Sequence, residues 1–332
     1  MNDTVFIPNA PAIPGLTFRR FRGEADFPLM AALIAACKVA DGVERSTNVE
    51  DIARTYRHLE NCNPQTDMLF AEVDGQVIAY GRLYWADQAD GTYLYLPFGF
   101  LHPDWRGKGI GSAMWAAGEN RLREIAAGHP KETPKFFQSE PFETEKALIA
   151  LLESRGYQPA RYETHMVRDL SEPFPEAPMP PGLEVRPVKP EQYRHIFDAS
   201  NEAFRDHWGA RDESEEVYQA GLEDPNFLPE LWKVAWNSDQ MAGVVHNFVD
   251  EKENAEYKRK RGYTEGICVR RPWRKQGLAR SLIVQSMKMF KDMGMAETAL
   301  SVDSQNLSGA FRLYEWCGYR KVKQQIIYRK PF

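Results

Sequence analysis

Two short segments of the chain combine residues suited to gripping a charged ligand. One is Arg106-Gly107-Lys108-Gly109-Ile110-Gly111, the other Arg274-Lys275-Gln276-Gly277-Leu278-Ala279. Each sets cationic donors and small residues just ahead of a stretch that reads as a helix. In the second case Leu278, Leu282, Ile283, Met287 and Phe290 recur at helical spacing, and Gly294 is placed to cap the end. The first turn of a helix exposes unpaired N–H groups and a partial positive charge. Small residues there let a phosphate approach the backbone, so the expected ligand is a pyrophosphate. Neither segment meets Gly-x-x-x-x-Gly-Lys-Ser/Thr, and GKGIGS does not satisfy Gly-x-Gly-x-x-Gly.

The elements around these segments repeat. GLTFRRF begins at Gly15 and GLEVRPV at Gly182; WRGKGIG begins at Trp105 and WRKQGLA at Trp273; RGY ends at Tyr157 and CGY at Tyr319. The offsets are 167, 168 and 162 residues, in the same order, which marks a duplicated domain of about 150 residues. The copies are assigned to residues 1–170 and 183–332. Between them, Pro173, Pro175, Pro178, Pro180 and Pro181 make residues 171–182 a semi-rigid linker. Each copy opens with an alternating strand, followed by a helical region (Leu29 to His58, then Glu191 to Leu222). Next come MLFAEVDGQVIAYGRLYW, with a tight-turn signal at Asp74-Gly75, and its counterpart LWKVAWNSDQMAGVVHNFV. A strand such as Gly266 to Val269 leads into the basic loop and helix; strand ALSV, a helix from near Ser308 and terminal strands finish the copy. Mixed α/β layers are the expected fold class.

A formal net charge of −5 over 332 residues gives no global attraction for nucleic acid or an anionic membrane. Cys37, Cys62, Cys268 and Cys317 form no Cys-x-x-Cys pair and have no His at metal spacing, so reduced thiols and no metal site are expected. The opening residues do not read as a signal peptide, and the apolar run Leu29 to Cys37 is too short for a membrane span. A cytoplasmic protein is expected.

GICVRRPWRKQGLARSL followed by LSVDSQNLSGAFRLYEWCGY resembles the GNAT superfamily of N-acetyltransferases, in its tandem two-domain form, and the likeness extends to both copies. The resemblance implies two GNAT-like acyl-CoA N-acyltransferase domains, each a twisted sheet splayed open between its fourth and fifth strands. Acetyl-CoA is the implied co-substrate. Its pyrophosphate would lie on Arg274 to Ala279, its pantetheine arm would pair with backbone near Cys268 and Val269, and Asn306 matches the family's Asn on that arm. Leu101 and Arg106 to Gly111 are the first-copy counterparts.

Acyl transfer to an amine needs a base, because an ammonium of pKa ~10.4 has no lone pair. It also needs donors for the oxyanion and an acid for the departing thiolate. Tyr314, in the family's LYE…GY position, is the expected acid, set against packing beside Phe311. Glu265 stands where several members carry a carboxylate base; the other reading is an exposed edge carboxylate. A backbone N–H near Val269 is the expected oxyanion donor. In the first copy Pro97 falls at the place of Glu265, Leu152 at that of Tyr314 and Thr144 near that of Asn306. The first copy is therefore expected to be degenerate and the second catalytic.

Four further features have both a functional and a plain reading. Asp206-His207-Trp208-Gly209 lines the acceptor cleft in many members, or is a turn around a packed Trp. Lys258 to Arg261 is expected to be a solvated hairpin tip, and Cys268 an inert buried thiol. Tyr84, Trp85, Tyr93, Tyr95 and Trp115 are expected in the core and sheet. The expected function is acetylation of a small-molecule amine, a thiol-containing or sugar-linked amine being one acceptor the resemblance allows. Acetylation of protein lysines or N-termini and non-catalytic acyl-CoA binding are the alternatives. Oligomeric state stays open.

Overall fold

A computed structural model describes residues 3–306 and 309–332. The expected helix start near Ser308 lies outside the described residues. The chain forms two compact units, one running to Arg161 and taking in Gln325–Phe332, the other spanning Tyr162–Gln324.

In the first unit β1 (Leu16–Arg19) leads to α1 (Phe27–Asp41), α2 (Val49–Arg57), α3 (Pro64–Asp67) and the strands β2 (Met68–Val73), β3 (Gln76–Asp87) and β4 (Tyr93–Leu101). Then come α4 (Ile110–Ala126), β5 (Lys135–Ser139), α5 (Lys146–Ser154) and the start of β6 (Gln158–Asp169). Local chemistry explains the boundaries. Pro28 occupies the first turn of α1, where its missing N–H costs nothing, and Gly42 ends the helix in the left-handed region. Asn48 and Asp51 form a reciprocal capping box on α2. Asp74 and Gly75 both have positive φ (49° and 79°), as a two-residue hairpin turn requires. Strand alternation then sorts the sheet. Phe70, Tyr80 and Phe100 pack with Met30, Leu33 and Ile34 of α1, while Ala71 and Ala79 pack with Ile110 and Ala113 of α4.

The second unit runs through β7 (Glu184–Arg186), α6 (Tyr193–Phe204), α7 (Glu215–Leu222), β8 (Lys233–Asn237), β9 (Gln240–Phe248) and α8 (Glu251–Tyr257). It continues with β10 (Arg261–Val269), α9 (Leu278–Asp292), β11 (Glu297–Asp303), α10 (Ala310–Trp316) and β12 (Arg320–Pro331). Val234, Trp236, Val244 and Cys268 face α6, and Ala235, Ala242 and Val245 face α9. Gly294 (φ 80°) follows the last turn of α9, its N–H bonded to Lys291 O. The proline-rich segment packs on this unit: Pro180 is buried, and Met179 Sδ lies 3.3 Å from Ser281 Oγ.

The repeat in sequence and the compact units in space are not drawn alike. Residues Glu163–Asp169 of β6 pair antiparallel with β11 inside the second unit. Tyr328–Pro331 of β12 pair antiparallel with β5 inside the first. Each unit thus receives a strand from the sequence of the other half.

Both units are splayed where a wedge is expected. β4 pairs with β5 only over Tyr93–Tyr95, and β10 with β11 only over Arg261–Tyr263, although both fourth strands continue for six more residues. One expectation needs correction. Lys258 and Lys260 are exposed as expected, but the segment is not a simple hairpin tip, because α8 fills the connection and Lys258 is its left-handed C-cap. Arg259 pairs with Glu253, Arg261 with Glu297 at 2.7 Å, and the Asn254 side chain holds both the N–H and the carbonyl of Arg261.

Candidate functional site

The two glycine-bearing loops have the same backbone design. Gly277 (φ 88°) and Gly109 (φ 85°) are the N-caps of α9 and α4, and no side chain caps either helix. The helical ladder begins only at Ser281 N–H on Gly277 O (3.1 Å) and at Ala113 N–H on Gly109 O (3.0 Å). The N–H groups ahead of these lie at exposed helix ends, as an anionic group requires. Lys275 (φ 62°) and Gly107 (φ 73°) share a left-handed position two residues earlier.

The arginine of each loop is a brace. Arg274 donates from Nε to Val269 O (2.9 Å) and from Nη2 to Ala203 O (3.0 Å), and pairs with Asp206 at 2.5 Å. Arg106 donates to Leu101 O (3.3 Å) and grips Asp41 with both terminal nitrogens (2.6 and 2.9 Å). These guanidiniums tie the end of the fourth strand to the end of the first helix. Lys108 lies over the Trp105 ring (4.5 Å), and Gln276 donates to Pro272 O (3.0 Å). The Arg271 and Arg274 guanidiniums hold the Asp206 carboxyl well below the usual range.

In the second unit the loop lies beside titratable groups. The register of β10 against β9 shifts between Glu265 and Cys268, and Gly266 takes φ 55° in this bulge. Glu265 sits opposite His246. Its carboxyl is pushed up to about 8, first by burial and then by the charge of Glu163; hydrogen bonds from the Ser301 backbone and side chain work against that rise. Burial holds His246 down to about 4, so it is neutral at pH 7. Tyr314 is 6% exposed and meets Tyr319 edge-on at 6.2 Å. Burial, then Glu265, raise its phenol well above the usual range, so it remains protonated. The structure therefore brings Glu265 and Tyr314 within electrostatic reach of each other. Asn306 lies on the turn after β11, its N–H on Asp303 O (3.1 Å).

Cys268 is a buried thiol raised to about 11 by its burial, unsuited to nucleophilic attack at neutral pH. His207 packs edge-on against Phe204 (4.8 Å) and is held below its usual value by burial and then by Arg274. Sequence reasoning missed Glu163, His165, Ser301 and His246. No local motif marks them; the β9–β10 pairing sets His246 opposite Glu265, and the β6–β11 pairing sets His165 opposite Ser301 and Glu163 opposite Asp303.

The first unit differs at the corresponding positions. β3 and β4 pair without a register shift, and Pro97 stands opposite Leu83. Leu152 is fully buried. Trp85 stacks on Tyr93 (5.9 Å), and the Tyr95 hydroxyl meets His129 Nδ1 at 2.7 Å, as core and sheet aromatics. Yet the unit contains a cavity of about 660 Å³ whose lining includes Leu101, Arg106, Gly107, Gly109, Gly111 and Leu151.

Among the described residues no helix is long and apolar enough to cross a membrane. The sequence model of the "Acetyltransferase (GNAT) family" matches residues 32–157 and again 193–319. The chain is 26% identical over 316 residues to the mycothiol acetyltransferase of Thermobispora bispora, covering 92% of this chain and 96% of that one. It is 26% identical over 312 residues to the mycothiol acetyltransferase of Salinispora tropica, covering 90% and 91%. A GCN5-related N-acetyltransferase from Sphaerobacter thermophilus superposes with a TM-score of 0.71 at 26% identity, over 98% of this chain and 97% of that one. A tandem GNAT protein from the clavulanic acid biosynthesis pathway shares the fold, with a TM-score of 0.65 at 14% identity over 95% and 98%.

Proposed function

The chain belongs to the acetyltransferase (GNAT) family, and from that premise we propose that its second unit transfers an acetyl group from acetyl-CoA to the amine of a small-molecule acceptor. The observation that carries this reading is that β10, which bears Glu265 at its bulge, parts from β11 after Tyr263 and runs on to the left-handed, uncapped Gly277 that opens α9. The first turn of α9 and the Lys275–Gly277 loop would receive the pyrophosphate. The part of β10 beyond Tyr263, from which β11 has diverged, offers backbone to the pantetheine arm. Bound acetyl-CoA supplies an activated thioester carbonyl. Glu265 takes a proton from the acceptor ammonium, freeing the lone pair that forms the new C–N bond. As the C–S bond breaks, Tyr314 protonates the sulfur and regains a proton from the intermediate's nitrogen, so CoA leaves as a thiol and the product is a neutral amide. A small acceptor is favoured because relatives matched over most of the chain are named mycothiol acetyltransferases, which makes thiol-bearing or sugar-linked amines the first to try.

The test is release of free CoA thiol from acetyl-CoA in the presence of single amines. Turnover with a thiol-bearing or sugar-linked small amine is expected. Preferential turnover of peptides would transfer the reading to protein acetylation. Saturable acetyl-CoA binding with no turnover on any amine would reduce the chain to a binding module.

For the first unit we propose acyl-CoA binding without turnover, supported by its braced loop and its cavity of about 660 Å³.

A further inference from the structure

Helix α4 does not close on its sheet along its whole length. The strands of the first unit run in the order β1-β2-β3-β4-β5, and the cavity of about 660 Å³ is lined from both flanks of α4. On one flank is Leu148 of α5, in the cluster around Phe137 of β5; on the other is Val5, whose N–H bonds Phe18 O of β1 at 2.8 Å. Between the flanks the wall is Gly81, Leu83 and Gly99 from the sheet and Met114, Ala117 and Gly118 from the helix. Gly81 and Gly99 are directly paired, on the face that Ala79 turns to α4. With no side chain on either, a passage is left beneath Met114.

The second unit fills the same place. Gly243 pairs with Val269 as Ala79 pairs with Leu101, so Val245 stands where the first unit has Gly81. Gly277 and Gly109 open the two helices, so Leu282 and Ser286 stand where Met114 and Gly118 do. Val245, Leu282 and Ser286 are each 0% exposed, and Asn247, in the place of Leu83, donates to Ser286 Oγ at 2.9 Å. Gly81, Leu83, Met114 and Ala117 are all only partly buried. A packed interior has no such opening; the side chains that would close it are the ones the first unit lacks.

We propose that the first unit takes an acyl-CoA with a medium-length hydrocarbon chain, its tail running beneath α4. This rests on the reading of that unit as an acyl-CoA site, and the occupant follows from continuity: Arg106, Gly107, Gly109 and Gly111 of the braced loop line the same cavity. The wall between the flanks carries no titratable group. Charged side chains come in only one turn beyond Gly118, where Arg121 is held by Asp67 at 3.0 Å. Acetyl has a single methyl to bury in such a passage, and each further methylene takes more apolar surface out of water.

The experiment is calorimetric titration of the full chain carrying Gly277→Asp, which closes the second site, with acetyl-, butyryl-, hexanoyl- and octanoyl-CoA, after the melting temperature has confirmed folding. Affinity should rise with length by up to about fourfold per methylene, and octanoyl-CoA should bind about a hundredfold or more tighter than acetyl-CoA. Adding Gly81→Val puts a branched side chain into the passage. A strand favours Val, and its Cβ would meet only ordinary contacts, 3.5 Å from Phe98 O and 4.0 Å from Met114 Cε. The gain with length should then disappear. Met114→Phe, from the opposite wall, should act alike and serves if Gly81→Val is unstable. Equal affinity for acetyl- and octanoyl-CoA, or a gain with length that both Gly81→Val and Met114→Phe leave intact, overturns the proposal. If the Gly277→Asp chain is folded yet binds neither CoA nor any of its acyl esters, the acyl-CoA reading of the first unit fails and takes the proposal with it.

Discussion

The two units share one backbone frame and differ in what is mounted on it. Asp41 grips Arg106 as Asp206 grips Arg274, Arg106 bonds Leu101 O as Arg274 bonds Val269 O, and a left-handed glycine opens the following helix in both. Against that common frame, the first unit has a regular β3–β4 ladder with Pro97, while the second has a bulged β9–β10 ladder with Glu265 and Gly266. Leu152 fills the core where the second unit places Tyr314. The frame is made of backbone and one ion pair, so a change of chemistry does not disturb it. The acid–base role proposed for the second unit needs particular side chains in a particular register, which a few substitutions are enough to remove.

The largest expected effect tests whether chemistry belongs to one unit. Glu265→Gln and Tyr314→Phe should each lower kcat/KM by roughly 10² to 10⁴. Adding Pro97→Glu and Leu152→Tyr to either should restore nothing, because the β3–β4 ladder has no bulge to turn the new carboxyl. Restored turnover would show that the units differ only in two side chains. Next in size, Gly277→Asp and Gly109→Asp each place a side chain at a left-handed position and a negative charge where a pyrophosphate would lie. Titration with acetyl-CoA should show two sites in wild type and one in each variant, affinity at the altered site falling at least about tenfold. Turnover should vanish with Gly277→Asp alone. A single wild-type site lost with Gly277→Asp would leave the first unit without its proposed ligand. The smallest effect concerns the braces. The carboxylate of Asp41 is 11% exposed and that of Asp206 37%, and screening weakens an exposed pair. Asp41→Asn should lower the melting temperature more than Asp206→Asn, whereas only Asp206→Asn should raise KM for acetyl-CoA, by a few-fold. Equal changes in both would mean that the braces are not separate.

Much of the frame is legible in the sequence because local chemistry specifies it. Asp74-Gly75 marks a hairpin, Gly277 marks a helix start, and the period of Leu278, Leu282 and Met287 marks α9. Other features are not local. The helix α8 is short and polar, so no apolar period announces it; its Asp250 cap and its Asn254 clasp are read only in three dimensions. The loop arginines look like ligand donors until the carbonyls of Val269 and Ala203 are seen to hold Arg274. Glu163 belongs by position to the first copy, and its influence on Glu265 follows from strand pairing that the alternating pattern of β6 does not determine.

That exchange of strands also sets an order of assembly. The first unit takes its last strand from Gln325–Phe332, which follows the whole of the second unit, Tyr162–Gln324, in the sequence. Most of that half is synthesised early, yet β5 keeps an open edge until Tyr328–Pro331 have followed the second unit off the ribosome. The half made first is the half finished last.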